Sequence, residues 1–237
     1  MNHRLGVIFD MDGVLVDSYH AHFRSWLAMA REARLDFTQQ EFDATFGRTS
    51  REIIAALWKD RQLSDAEIAA LDDRKEAVFR QILQADFRPM PGAVRLLEAL
   101  RRAGFALGVG SSGPPENVAL VLERLAERSL WGAVVTGKDV TRGKPDPQVF
   151  LLVAERLGIA PARCAVIEDA PAGIAAAKAA RMASVGLVST GRTRALLAQA
   201  HLVVDSLEQL TPEAMRALIE ANGGRQDDEG GTRNDEG

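Results

Sequence analysis

Short unbroken apolar runs alternate along the chain with stretches in which apolar residues recur every three or four positions. The runs Leu5–Phe9, Phe105–Val109, Ala133–Val135, Ala165–Ile167, Ser184–Val188 and Leu202–Val204 read as strands. They are apolar throughout, which is the pattern of strands covered on both faces. Helical periodicity fills the intervals at Ala93–Arg102, Glu116–Glu127, Gln148–Leu157, Ala172–Ala180 and Arg194–Ala198. Strand–helix–strand repeated in this way predicts an α/β protein with a Rossmann-like parallel sheet. Gly104 and Gly158 stand where helix C-caps are wanted.

The alternation breaks once. Between Asp17 and Arg88 the pattern reads as four or five amphipathic helices, among them Tyr19–Arg34, Arg51–Lys59 and Asp65–Gln84. Ser64 with Glu67 three residues on has the spacing of a capping box. The two prolines of FRPMPG at 87–92 cannot continue a helix and mark a return linker. The expected organisation is a core formed by 1–16 and 89–222, with an all-helical cap inserted at 17–88. An insert of about 70 residues is an ordinary size for a small subdomain. The segment 223–237, GGRQDDEGGTRNDEG, has no hydrophobic residue and is expected to be disordered.

Composition narrows the class. The 237 residues are 46% hydrophobic and 26% charged, the balance of a soluble globular protein. There are 29 Lys and Arg against 33 Asp and Glu, so no basic excess points to nucleic acid. No run approaches the length and apolarity of a membrane span, and the N-terminal stretch carries Asp10 and Asp12, unlike a signal peptide. Cys164 alone permits no internal disulfide, and a cytoplasmic location is expected.

Candidate chemistry lies where parallel sheets bind ligands, beyond the carboxyl ends of the strands. The first strand ends in Asp10, with Asp12 and Gly13 just after; the second ends in Ser111, Ser112 and Gly113. The third leads to Gly143, Lys144, Pro145 and Asp146, and the fourth ends in Glu168 and Asp169. Clustered carboxylates repel one another unless a cation neutralises them. Oxygen-only ligands suit a hard ion, and Mg²⁺ fits best. A lysine and a serine beside such an ion can cradle a phosphate. Phosphoryl transfer through Asp10 is therefore the reaction proposed, with a small-molecule phosphate ester as the partner and with neither nucleic acid nor membrane expected.

FDMDGVLVDS at 9–18, GSSG at 110–113, GKPDP at 143–147 and IEDAPAG at 167–173 resemble the four motifs of the haloacid dehalogenase superfamily, in order and over about residues 4–210. The helical insert resembles the cap of the subfamily that holds β-phosphoglucomutase, phosphoglycolate phosphatase and small sugar-phosphate phosphatases. The resemblance implies that Asp10 is the nucleophile and Asp12 the general acid/base, with its carbonyl a metal ligand. It implies phosphate binding by Ser111 and Lys144, and metal binding by Asp169 with Glu168 as a second acidic position. Dehalogenases of the superfamily lack the second aspartate of the first motif, so Asp12 disfavours that chemistry. A phosphonatase would need a cap lysine for a Schiff base. The insert offers only Lys59 and Lys75, both in helical stretches far from the first motif.

The cap should set the substrate. DSYHAHFRSW at 17–26 is similar to the mutase cap, with His22 and Trp26 at matching positions. GRTSREI at 47–53 is similar to a mutase loop that gives an arginine to a phosphate, with Arg48 and Arg51 competing for that role. After Ser111 and Ser112 the mutase has a lysine and an asparagine; here the run is Gly113-Pro114-Pro115-Glu116-Asn117. The missing lysine favours a phosphatase over a mutase. A non-catalytic phosphate-binding protein is the third class, and the complete motif set argues against it. Oligomeric state is not legible.

Overall fold

The structure, a computed structural model, describes residues 4–45, 50–126 and 128–231. The chain divides into two compact units, Met1–Asp17 with Pro89–Gly237, and Ser18–Arg88.

The first unit is a six-stranded sheet. Its strands are β1 (Gly6–Phe9), β2 (Ala106–Gly110), β3 (Ala133–Val135), β4 (Cys164–Glu168), β5 (Ala183–Leu187) and β6 (Leu202–Val204). All neighbours pair in parallel, in the order β3-β2-β1-β4-β5-β6. Every residue of β1, β2, β4 and β5 is buried, which is why these segments are built of apolar or small side chains, except Glu168 at the carboxyl end of β4. In this unit α5 (Ala93–Arg102), α6 (Pro115–Leu125), α7 (Gln148–Leu157), α8 (Pro171–Ala179) and α9 (Pro212–Gly231) supply the covering layers. Val149, Phe150, Val153 and Ala154 of α7 share a core with Ala176 and Ala177 of α8 and with Ile8 and Val166 of the sheet. α5 packs on β2, and α9 on β4 and β5.

The second unit is helical: α1 (Tyr19–Glu32), α2 (Gln39–Thr45), α3 (Ser50–Leu57) and α4 (Asp65–Ala85). Its core is aromatic, built from Tyr19, Trp26, Phe37, Phe42 and Trp58 around Ile53 and Ile54. The Ser64 capping box is present, with Glu67 N–H donating to Ser64 Oγ at 3.3 Å and Ser64 N–H to Glu67 Oε2 at 2.8 Å.

Three sequence expectations are corrected. The stretch Arg194–Ala198 is a 3₁₀ turn over Arg194–Leu197, too short for α-helical pairing. The first cap helix stops at Glu32 because Arg34 turns left-handed at φ 58°. The tail is helical in its backbone to Gly231 rather than irregular from 223. Met215, Ile219 and Asn222 dock the first half of α9, and extending a helix already nucleated costs little.

Candidate active site

The sheet order reverses direction of progress at β1, whose neighbours are β2 and β4. That switch point is where open parallel sheets hold ligands. Register sets what stands there. Phe9 pairs with Ile167, and Asp10 N–H donates to Ile167 C=O at 3.0 Å. Asp10 therefore lies level with Glu168 and Asp169, at the adjoining carboxyl ends of β1 and β4. One oxygen from each of these three carboxylates lies within 4.8 Å of the other two. They are 8%, 1% and 4% exposed.

Lys144 enters from the loop before α7 and joins two of the acids. Its ammonium donates to Asp10 Oδ1 at 2.6 Å and to Glu168 Oε1 at 2.7 Å, and sits 4.9 Å from the centre of the Phe150 ring. The other Glu168 oxygen, Oε2, accepts from Ala170 N–H at 2.9 Å, beside the start of α8. Both oxygens of Glu168 thus accept a hydrogen bond, one of them from Lys144.

Burial dominates the electrostatics. It pushes the Asp10 carboxyl well above its usual range; the Lys144 charge opposes this and the charges of Glu168 and Asp169 reinforce it. Burial, aided by Glu168, also pushes Asp169 up to about 7, against the pull of Arg192 and Ser189. Burial would lower Lys144, but Asp10 and Glu168 outweigh it and hold the ammonium above its ordinary range.

A divalent cation fits this donor set. Asp10, Asp12, Glu168 and Asp169 face two cations, Lys144 and Arg192, so the ionised cluster has two negative charges in excess. The donors are all oxygen, as hard cations require. Gly13, at φ +74°, turns the chain just after β1, and a Cβ there would lie 2.2 Å from Asp169 Oδ2. Only glycine lets the Asp10–Asp12 turn close over that carboxylate.

Ser111 is buried, and its Oγ accepts from Gly113 N–H at 3.0 Å. Its own N–H donates to Val135 C=O, so the serine is fixed by the β2–β3 ladder's continuation. Ser112 is exposed. Asn117 is buried in the first turn of α6.

The cap candidates lie in the other unit, where the structure gives them local partners. Trp26 is 2% exposed and packs in the aromatic core of its unit. His22 stacks on Phe79 with ring centres 4.1 Å apart, and its Nδ1 lies 3.0 Å from Lys75 Nζ. Arg51 pairs with Asp65, both side chains largely exposed. Arg48 lies outside the described residues.

A family profile described as haloacid dehalogenase-like hydrolase matches residues 5–181. The chain belongs to this family. This hydrolase is 34% identical over 216 residues to a β-phosphoglucomutase of Bacillus subtilis, covering 88% of this chain and 92% of the relative. It is 35% identical over 206 residues to hexitol phosphatase A of Escherichia coli, covering 87% and 93%. A solved haloacid dehalogenase hydrolase of family IA, variant 3, from Entamoeba histolytica superposes with a TM-score of 0.82 at 26% identity, covering 91% and 99%.

Two residues of the cluster escape the sequence reading. Ser189 Oγ donates to Asp169 Oδ2 at 2.7 Å, and Arg192 Nε lies 3.8 Å from the same oxygen. They follow β5, and the strand-end rule that found Asp10 and Asp169 would have reached them if applied to a fifth strand. In this hydrolase no helix among the described residues is long and apolar enough to cross a membrane.

Proposed function

We propose that this hydrolase is a Mg²⁺-dependent phosphatase acting on a small phosphate monoester, a sugar phosphate by the names of its relatives. The observation that carries this reading is the buried contact chain Asp10–Lys144–Glu168 beside Asp169. Asp10, Asp169 and the Asp12 carbonyl would hold the ion, with Glu168 beside them. When bound, the ion supplies charge neutralisation for the phosphoryl oxygens.

An Asp10 oxygen forms a bond to phosphorus while the ester P–O bond breaks. Asp12 gives its proton to the departing alkoxide. Asp12 then takes a proton from water as the water oxygen attacks the aspartyl phosphate, releasing inorganic phosphate and restoring Asp10. Lys144 stays charged throughout, because its carboxylate partners hold the proton on it, and its donors serve Asp10 and the phosphoryl oxygens. Ser111 offers a hydroxyl, fixed from below, to the same phosphate.

Hydrolysis is favoured over mutation of the sugar phosphate by the loop after Ser111. The run 111–117 carries no cation, and Lys138, which reaches that turn from the loop after β3, is 3.6 Å from the Glu116 carboxylate. A second phosphate gains little there. The deciding experiment follows free phosphate and isomer together, over a panel of phosphorylated hexoses, hexitols and small acids, with Mg²⁺ present and absent. Free phosphate should dominate. Conversion of β-glucose 1-phosphate to glucose 6-phosphate, with catalytic glucose 1,6-bisphosphate, much faster than phosphate release would establish the mutase instead.

A further inference from the structure

The four residues Ser189-Thr190-Gly191-Arg192 close a turn directly after β5. Arg192 N–H donates to Ser189 C=O at 3.0 Å, and Gly191 takes φ +77° at the third position. That backbone is a type II turn, whose first and fourth residues approach within about 7 Å. The turn delivers both end side chains to one atom. Ser189 Oγ donates to Asp169 Oδ2 at 2.7 Å, and the Arg192 guanidinium, 11% exposed, has its Nε 3.8 Å from it. The backbone of Gly13 closes a third side of the same oxygen.

We propose that Ser189 and Arg192 are positioning residues that commit Oδ2 of Asp169, so that Asp169 offers a cation only its other oxygen, and that this makes the site favour Mg²⁺ over Ca²⁺. The inference rests on the reading of Asp10, Asp169 and their neighbours as a divalent-metal site. Its chemistry is the difference between the two ions. Ca²⁺ accepts six to eight oxygens and readily takes both from one carboxylate, whereas Mg²⁺ is smaller and holds to six. A carboxylate with one oxygen tied to a hydroxyl and a guanidinium fits the second habit and frustrates the first. The excess of two negative charges also depends on Arg192. Without it the cluster gains a third, which strengthens binding of any cation and weakens discrimination.

The test is isothermal titration of the metal-stripped full chain with MgCl₂ and with CaCl₂, in the absence of substrate. Ser189→Ala, Arg192→Gln and the double variant should each raise the affinity for Ca²⁺ relative to Mg²⁺. In the double variant the ratio should rise about tenfold, the low end of what such outer partners contribute to metal affinity. Ser189→Thr, which keeps the hydroxyl, should restore the wild-type ratio. A ratio within about twofold of wild type in both single variants, the readout that stands if the double variant does not fold, would overturn the proposal. Asp169→Asn separates this from the underlying reading: it should weaken both ions. If Asp169→Asn binds both ions as wild type does, the metal site itself is misassigned.

Discussion

Each unit of this hydrolase buries a lysine against a carboxylate, and the two do different work. Lys144 bridges Asp10 and Glu168 at the ends of β1 and β4. Lys75, whose side chain is 3% exposed, pairs with Glu76 at 2.7 Å and lies 5.2 Å from the Trp26 ring and 5.3 Å from the Phe79 ring. Lys75 and His22 join α4 to α1 in the interior of a helical bundle. Burial and pairing are the same in both places. The difference is the backbone that presents them. In the sheet unit, ladder register forces several chemical groups to one edge. In the helical unit, Lys75 meets the neighbouring Glu76 and the side chains of the facing helix.

The sharpest way to break this comparison is to remove the groups that the edge presents. Asp10→Asn should abolish phosphate release, a loss on the order of 10⁶-fold, the scale seen when a covalent nucleophile is removed. Asp12→Asn should lose about 10²–10⁴-fold, the usual contribution of a general acid–base group. Phosphate release from an activated aryl phosphate measures both. An Asp12→Asn enzyme within a few-fold of wild type would remove Asp12 from the proposed chemistry.

The same contrast explains what was legible in the sequence. Strands buried on both faces must be apolar runs, so β1 to β6 could be read within a residue or two, and their ends pointed to Asp10, Ser111 and Asp169. The loop residue Lys144 was found through its motif and not through any periodicity. Ser189 and Arg192 were missed because a serine and an arginine in a turn look like any solvated loop. Lys75 was read as one more helical lysine, because nothing in its spacing distinguishes a buried amphipathic stem from a solvated one. Trp26 matches a mutase-cap position by its motif, and its ring packs in the aromatic core of the helical unit.

Lys75→Ala tests the structural side of the comparison. Removing one partner of a buried pair typically costs about 3–5 kcal/mol. Glu76 would be left without its ammonium, and the aromatic cage around Lys75 would lose its filling. Proteolysis of the native chain should then cut first within 18–88, while the sheet unit stays protected. Equal exposure of both units to the protease would show that Lys75 supports more than the helical bundle.

A smaller effect should appear as a pH slope. Asp169 titrates at about 7 in the folded chain against 3.8 for the ordinary group, with Glu168, Asp12, Arg192 and Ser189 around it. Between those values the folded state binds the extra proton, so stability falls as pH rises. This contribution is fully present below 3.8 and is lost as pH passes through about 7. Asp10 is shifted in the same direction. Carboxylates shifted downward, such as Asp139 at about 2, are ionised in both states above pH 5 and contribute no slope there. With metal removed by chelation, the melting temperature should therefore fall from pH 5 to pH 8. Saturating Mg²⁺ should reverse the slope, because a cation binds the ionised carboxylates and competes with protons. A chelated protein whose melting temperature rises across that range would contradict the burial assigned to Asp10 and Asp169.

The smallest effect belongs to Arg51. Its side chain is 63% exposed and that of its partner Asp65 is 86% exposed. Such surface pairs are worth about 0–1 kcal/mol, because water screens the charges and both side chains give up rotamer freedom to meet. Arg51→Ala should accordingly leave the melting temperature nearly unchanged. The same substitution also decides whether the mutase-like loop carries a ligand contact. If Arg51 is only a surface pair, KM and kcat both stay near wild type. If it binds the substrate, KM rises at constant kcat, the pattern of lost uniform binding. The first outcome is expected, since the guanidinium already has a carboxylate to meet. A KM raised about tenfold with kcat intact would show that a helical surface can fix a functional residue as firmly as a strand end. The contrast between strand ends and helical neighbours would then hold for the two buried lysines and not for surface residues.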